Sequence, residues 1–164
     1  MAAIPKIDDN RLQAICVVIG DTTEGLTGTQ IGQLLSRCGI DDPSPGITKR
    51  DRLFEALRAK QDRDGCANNV LAFVEKALDP VRFVGNSQGF AAFRDRLNEA
   101  LAFSGFHLGQ DGKLQAVTQA RTLDEAQERA GKLRAELTRR QVHPDVLQFC
   151  RAELLQENYF PRCF

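Results

Sequence analysis

The sequence has no net charge and no long apolar run, and each absence excludes a class of function. Its 22 basic and 22 acidic side chains cancel, so no overall field attracts nucleic acid or an anionic membrane, and any electrostatic binding surface has to be local. No apolar stretch is long enough to span a bilayer. The first residues also lack the apolar segment of a secretory signal peptide. We therefore expect a cytoplasmic protein with no membrane partner.

Histidine is scarce and the cysteines are scattered, which argues against a metal site or a catalytic group. The five cysteines form no CxxC pair, and neither His107 nor His143 has a cysteine or carboxylate at a ligand spacing. Without a secretory signal, reduced thiols are expected. No glycine-rich phosphate loop is present. The sequence thus predicts no catalytic residue, no metal and no cofactor, and a protein that is not an enzyme.

The spacing of apolar residues is mainly helical. With 42% hydrophobic side chains in 164 residues, the chain can bury one core, so a single module over residues 1–160 is expected. The predicted helices begin near Asp9, at Thr27 or Thr29, at Thr48, at Ala67, after a surface loop at 84–89, at Thr122 and at His143. The fourth helix, Ala67 to Leu78, is apolar around most of its circumference, which predicts a central position in the core.

One β-hairpin is predicted among the helices. Asp111-Gly112 is a hairpin-turn dipeptide, and apolar residues flank it in rough alternation, at Phe106 and Leu108 before it and at Leu114 and Val117 after it. A two-stranded hairpin is only marginally stable alone, so it should lie against helices. The predicted fold class is therefore mainly α, with about six to seven helices and one β-hairpin, and a winged-helix arrangement is one form that it could take.

The helix that begins at Thr48 carries the sharpest candidate site. Four bases fall within roughly an 80° arc of this helix, with alanines beside them: Lys49, Arg52, Lys60 and Arg63. Small residues between bases allow a phosphate backbone to approach closely, so this basic face is predicted to bind DNA or RNA. The short helix before it and the hairpin after it fit a helix-turn-helix or winged-helix domain. In the alternative interpretation, the bases pair with acids on an ordinary solvated surface.

Exposure of this face has a consequence for stability. If Arg52 and Arg63 are both exposed, changing both to glutamate should weaken nucleic-acid binding and leave thermal stability nearly unchanged, because surface substitutions usually cost less than about 0.5 kcal/mol.

A second candidate surface lies on the helix that begins at Thr122. Apolar residues recur there three and four positions apart and form a narrow seam like that of a coiled coil: Leu123, Ala126, Ala130, Leu133 and Leu137. The seam could join two copies of the chain or bind a partner protein. Barely two heptads are too short to stand alone, so packing of the seam inside the domain is the alternative.

Long blocks of the chain resemble the Ymh-type family of proteins linked to bacterial abortive infection. The resemblance covers most of Leu26 to Phe160, in TKRDRLFEALRAKQDRDGCANNVLAFVEKALDPVRF, RLNEALAFSGFHLGQDGKLQAV, LDEAQERAGKLRAEL and VHPDVLQFCRAELLQENYF. It implies a helical N-terminal module like those of AbiJ-like phage-defence proteins, normally followed by a C-terminal domain of the HEPN type. The function implied is a non-catalytic sensor or binding module of a phage-defence protein.

The end of the sequence departs from that family pattern. Residues 161–164 read PRCF, and Pro161 should end the helix that the family continues. From the resemblance, we expect this sequence to lack the family's C-terminal domain. Neither His107 nor His143 has an arginine upstream at the spacing of the HEPN ribonuclease signature. Nuclease activity is therefore not expected of this chain. The remaining alternative is a protein-interaction or homodimerisation module with no role in nucleic-acid binding.

Overall fold

Helices make up most of the computed structural model, which describes residues 3–44 and 46–128. The α-helices are α1 (Asp9–Ile19), α2 (Gly28–Arg37), α3 (Lys49–Asp64), α4 (Asn68–Ala77) and α5 (Ser87–Ala102). A 3₁₀ helix, Pro80–Phe83, links α4 to α5, and the antiparallel strands β1 (Phe106–Leu108) and β2 (Leu114–Ala116) form the hairpin. Residues 123–128 are again helical. The predicted mainly α fold class with one β-hairpin is confirmed.

Side-chain caps fix where the helices begin, and several were readable from the sequence. The side chains of the N-cap residues accept hydrogen bonds from backbone N–H groups of the first turn at Asp8, Thr27, Thr48 and Asn86. Such caps satisfy donors that have no partner within the helix. At the other end of α3, Gly65 has a φ of +67°, a left-handed conformation that favours glycine. Local chemistry therefore sets these boundaries.

The segment between α4 and α5 differs from the prediction. A surface loop was expected at 84–89, but α5 already begins at Ser87 because the Asn86 side chain accepts a hydrogen bond from the Gly89 N–H at 3.0 Å. Before the loop, Pro80 begins the 3₁₀ helix, where a proline is tolerated because the first N–H lacks a helical partner anyway. The surface loop is thus shorter than predicted.

The core forms where α1 packs against α3 and α5 and where α4 packs against α2 and α3. Fully buried residues come from each of these helices: Leu12, Ile15, Leu35, Leu53, Leu57, Phe73, Leu97 and Leu101. Half of α4 is buried, through Val70, Leu71, Phe73, Val74 and Ala77. The predicted central position of the fourth helix is confirmed.

Two buried amides hold extended segments against helices. Gln61 of α3 accepts from the Ile7 N–H at 3.2 Å and donates to the Ile7 carbonyl at 2.8 Å. Asn98 of α5 does the same for Leu108 of β1, accepting at 2.7 Å and donating at 3.1 Å. Each amide therefore provides the hydrogen bonds that a neighbouring strand would otherwise make, and it satisfies backbone groups that are shielded from water.

Replacing Asn98 by leucine should destabilise the protein by at least about 2 kcal/mol, because the buried N–H and C=O of Leu108 would both lose their partner. The similar volume of leucine limits any cavity effect. Urea unfolding of Asn98→Leu and of Glu99→Leu, an exposed neighbour on α5, measures the difference. Equal midpoints for the two variants would show that the amide does not hold the hairpin.

The hairpin lies against a helix, as predicted, and the helix is α5. A winged-helix domain would instead place the hairpin beside α3. The predictions for the remainder of the sixth helix, for the last helix and for the tail at 161–164 fall outside the described residues, and so does the full extent of the 1–160 module.

Candidate functional site

The predicted basic face of α3 is used for contacts within the protein. Lys49 lies at its start, where the ammonium donates to the carbonyl oxygens of Asp21 at 2.6 Å and of Leu26 at 2.9 Å. Lysine carries three donors, and two of them are engaged here. Lys49 therefore ties the loop that follows α1 to the first turn of α3.

Arg52 is buried, and the expectation that it is exposed is wrong. Only 7% of the residue is accessible. Its Nε donates to Asp42 Oδ1 at 2.8 Å, its Nη2 donates to Asp42 Oδ2, and its Nη1 donates to the Gly28 carbonyl at 2.9 Å. The guanidinium hydrogen bond holds the pKa of Asp42 below its usual range. Arg52 thus joins α3 to the start of α2 and to the segment that follows it.

Lys60 and Arg63 are also paired with acids. Lys60 Nζ lies 3.3 Å from Asp64 one turn later, and its side chain is 15% exposed. Arg63 Nη1 donates to Asp41 at 2.7 Å, in a pair that is open to solvent on both sides. Of the four predicted bases, Arg63 alone combines high exposure with a weak surface ion pair.

The four bases therefore lie on one face of α3, but each of them already contacts an acidic side chain or a carbonyl oxygen of the protein. The alternative interpretation, in which bases pair with acids, describes the observed contacts better than an open phosphate-binding surface does. Contact of these residues with nucleic acid stays a prediction.

The seam beginning at Leu123 is described only in part. Ala126 is buried with Ala102 and Ala120, next to Phe103 at the end of α5. Leu123 is 71% exposed. Packing inside the domain thus accounts for Ala126 and not for Leu123. The other three seam residues, Ala130, Leu133 and Leu137, lie outside the described residues.

A different group of cations forms no ion pair among residues 3–44 and 46–128. Arg37 ends α2, Lys76 lies in the last turn of α4, and Arg82 lies in the 3₁₀ helix. Lys76 Nζ donates to the Arg37 carbonyl at 3.3 Å, and Arg82 Nη1 donates to the Lys76 carbonyl at 3.4 Å. We call these three residues the cationic cluster.

Two members of the cationic cluster, Arg37 and Arg82, repel each other. Partial burial lowers the pKa of Arg82, and the neighbouring charge of Arg37 lowers it further, while Asp79 acts in the opposite direction. The carbonyls at the ends of α2 and α4 offset part of this charge, as expected for bases at helix C-termini. Most N–H donors of the cluster remain available to a ligand.

Exposed aliphatic side chains flank the cationic cluster. Val81 is 72% exposed and Val84 is 84% exposed. Between them, Phe83 turns inward and its ring lies 5.3 Å from that of Phe90. The 3₁₀ helix is therefore anchored by an aromatic contact while it presents valines and a base outward.

The sequence pattern did not reveal the cationic cluster, because its members come from three segments that the fold brings together. The available signal was local: Arg37 and Lys76 are bases in the last turns of predicted helices. That position is normally explained by the helix dipole alone.

The histidine and metal predictions are unchanged by the structure. His107 is half-buried in β1, where burial and the nearby charge of Arg94 lower its pKa. Within the described ranges, no group of three or more histidine, cysteine or acidic residues is arranged to hold a metal ion. His143 lies outside those ranges.

No helix within the described part of the chain has the length and apolarity needed to cross a membrane. Comparison with known proteins found no matching family model, no matching curated protein and no matching solved structure. The resemblance to Ymh-type proteins therefore stays a prediction.

Proposed function

We propose that this chain is a non-catalytic binding module that docks an acidic, partly apolar segment of a partner protein on the cationic cluster and its flanking valines. The observation that carries the proposal is that Arg37, Lys76 and Arg82 lie together and form no ion pair among the described residues.

Charge supports an anionic partner. Arg37 and Lys76 are exposed and Arg82 is partly so. A carboxylate placed between Arg37 and Arg82 would relieve their repulsion. By contrast, the bases of α3 already contact acids or carbonyl oxygens. A second anion at Arg52 would have to displace Asp42 from a bidentate pair.

The flanking side chains favour a protein over a nucleic acid. Single-stranded nucleic acids are usually held by exposed aromatic rings on which bases stack. Here the exposed residues are Val81 and Val84, and Phe83 packs inward against Phe90. Aliphatic side chains next to bases suit a segment that alternates acidic and apolar residues.

The resemblance to abortive-infection proteins supplies a biological setting for such a module. Under this proposal, the chain senses or recruits a protein during phage defence, and no nuclease activity is assigned to it. The nucleic-acid function predicted from α3 is the rival proposal, and one experiment separates the two.

Two double variants with the same change in charge identify the binding surface. Lys76→Gln with Arg82→Gln should weaken binding of a labelled Glu/Leu-alternating peptide about tenfold, because two charge contacts of somewhat under 1 kcal/mol each are lost. Lys60→Gln with Arg63→Gln, on α3, should leave peptide affinity unchanged. Fluorescence anisotropy against the peptide, a Lys/Leu version, a Glu/Ser version, and short DNA and RNA duplexes measures both effects.

Each outcome decides between the proposals. Loss of peptide binding only in the cluster variant, with weaker binding of the Lys/Leu and Glu/Ser peptides, supports the protein-docking function. Tight binding of a duplex that weakens only in the α3 variant overturns it and supports the nucleic-acid prediction. Equal peptide affinity in all proteins also overturns it.

A further inference from the structure

Residues 122–128, which we call the acidic segment, have the chemistry proposed for the partner of the cationic cluster. We infer that the partner docked on the cluster is a second copy of this chain, bound through Leu123 and Asp124 of its acidic segment. The identity of this partner rests on the docking function proposed above and makes it specific.

The acidic segment presents an apolar side chain and an unpaired carboxylate next to each other. Leu123 is 71% exposed. Asp124 is also exposed, and it forms no ion pair among residues 3–44 and 46–128. Glu128 is a further exposed acid one turn after Asp124. The segment therefore combines acidic and apolar side chains, as expected of a ligand for the cluster.

The cationic cluster has the opposite charge and an apolar flank of the same kind. Val81, Val84 and Leu123 are the three most exposed large apolar side chains of the described residues. Two of them flank the cations and the third precedes an acid. Contact between the two surfaces removes this apolar area from water. It also supplies the carboxylate that relieves the repulsion within the cluster.

The two surfaces of one copy do not reach each other, because they lie at opposite ends of α5. At its start, Phe90 packs against Phe83 of the 3₁₀ helix. At its end, Ala102 is buried together with Ala126 of the acidic segment. The helix extends about 18 Å from Phe90 to Ala102. The acidic segment therefore meets a cationic cluster on another copy, in a head-to-tail contact of unlike surfaces.

Sedimentation velocity over a concentration series measures this self-association. The wild type should associate with a dissociation constant on the order of 100 μM, because the contact area is small. Asp124→Lys should raise that constant at least about tenfold, because attraction to the cluster becomes repulsion. Glu99→Lys makes the same change at an exposed acid of α5 and should leave self-association unchanged.

A charge exchange between the two surfaces identifies the contact itself. Lys76→Glu with Arg82→Glu reverses charge on the cluster, and Asp124→Lys reverses it on the acidic segment. Each protein alone should associate more weakly than the wild type. An equimolar mixture of the two should associate again, because each copy offers the charge that its partner now requires. Circular dichroism of both variants checks that they are folded.

The Glu/Leu peptide titration described above distinguishes loss of this partner from loss of the docking function. A wild type that stays monomeric up to about 1 mM overturns the second copy as partner. Self-association that is unchanged by Asp124→Lys, or a mixture that stays monomeric, also overturns it. In each of these cases, peptide binding that depends on Lys76 and Arg82 still supports docking. Absence of both peptide binding and self-association overturns both proposals.

Discussion

Arg52→Glu is expected to destabilise the protein by about 3 kcal/mol. Arg52 is 7% exposed, and the substitution removes three hydrogen bonds to Asp42 and Gly28 and places a second carboxylate beside Asp42. Breaking a buried ion pair costs about 3–5 kcal/mol, and the partial exposure of Asp42 puts this case at the low end. Urea unfolding measures the change in the free energy of unfolding.

Arg63→Glu is the matched control on the same helix face. Its pair with Asp41 is 55% and 87% exposed, so the same substitution there should cost less than about 1 kcal/mol. Similar unfolding midpoints for the two variants would contradict the structural role of Arg52. A protein changed at both positions, expected from the sequence to keep its stability, should lose it through Arg52.

The pH dependence of the Arg52→Glu effect follows from the lowered pKa of Asp42, caused chiefly by its hydrogen bond from Arg52. A carboxylate with a lowered pKa stabilises the fold above its unfolded value of about 4, and that contribution disappears as the pH falls through the folded value. The difference in the free energy of unfolding between the wild type and Arg52→Glu should therefore be largest near pH 7 and should become smaller below about pH 4.

Helix positions were predictable because their determinants are local. The Thr48 hydroxyl accepts from the Asp51 N–H three residues later, a relation that is visible in the sequence itself. The hairpin was predictable for the same reason, since Asp111-Gly112 specifies a tight turn. Neither inference requires knowledge of which helix lies beside which.

Whether each base of α3 is buried or exposed was not predictable from the sequence, because that depends on its tertiary neighbours. Arg52 and Arg63 occupy the same arc of α3, yet Arg52 faces α2 and Arg63 faces solvent. Helical periodicity gives the angular position of a residue around the helix axis, but it does not show which other segment of the protein lies on that side. Gln61 lies on the same helix and is buried for a similar reason, because it holds the backbone of Ile7.

Composition also could not indicate the cationic cluster. Arg37, Lys76 and Arg82 become neighbours only when the C-terminal ends of α2 and α4 meet at the 3₁₀ helix. The net charge of zero is the sum over all groups, paired and unpaired. A surface with unpaired cations is therefore compatible with an electrically neutral chain.

Val74→Asp is expected to have the largest effect of all, a loss of more than about 4 kcal/mol that leaves the protein largely unfolded or insoluble. Val74 is fully buried in the α4 face that packs into the core. An aspartate there would be an unpaired charge without water, or a protonated acid with unsatisfied polar atoms. Circular dichroism during thermal unfolding, together with soluble yield, measures the effect.

Val17→Asp is the control for the low helix propensity of aspartate. Val17 is also a valine in a helix, but it is 38% exposed, so this variant changes the helix propensity without burying a charge. This control should remain folded, with a cost of about 1 kcal/mol or less, because a charge at that position stays hydrated. A soluble Val74→Asp protein with the melting transition of Val17→Asp would mean that α4 is not central to the core. We expect the opposite, because Val74 is fully buried and α4 packs against both α2 and α3.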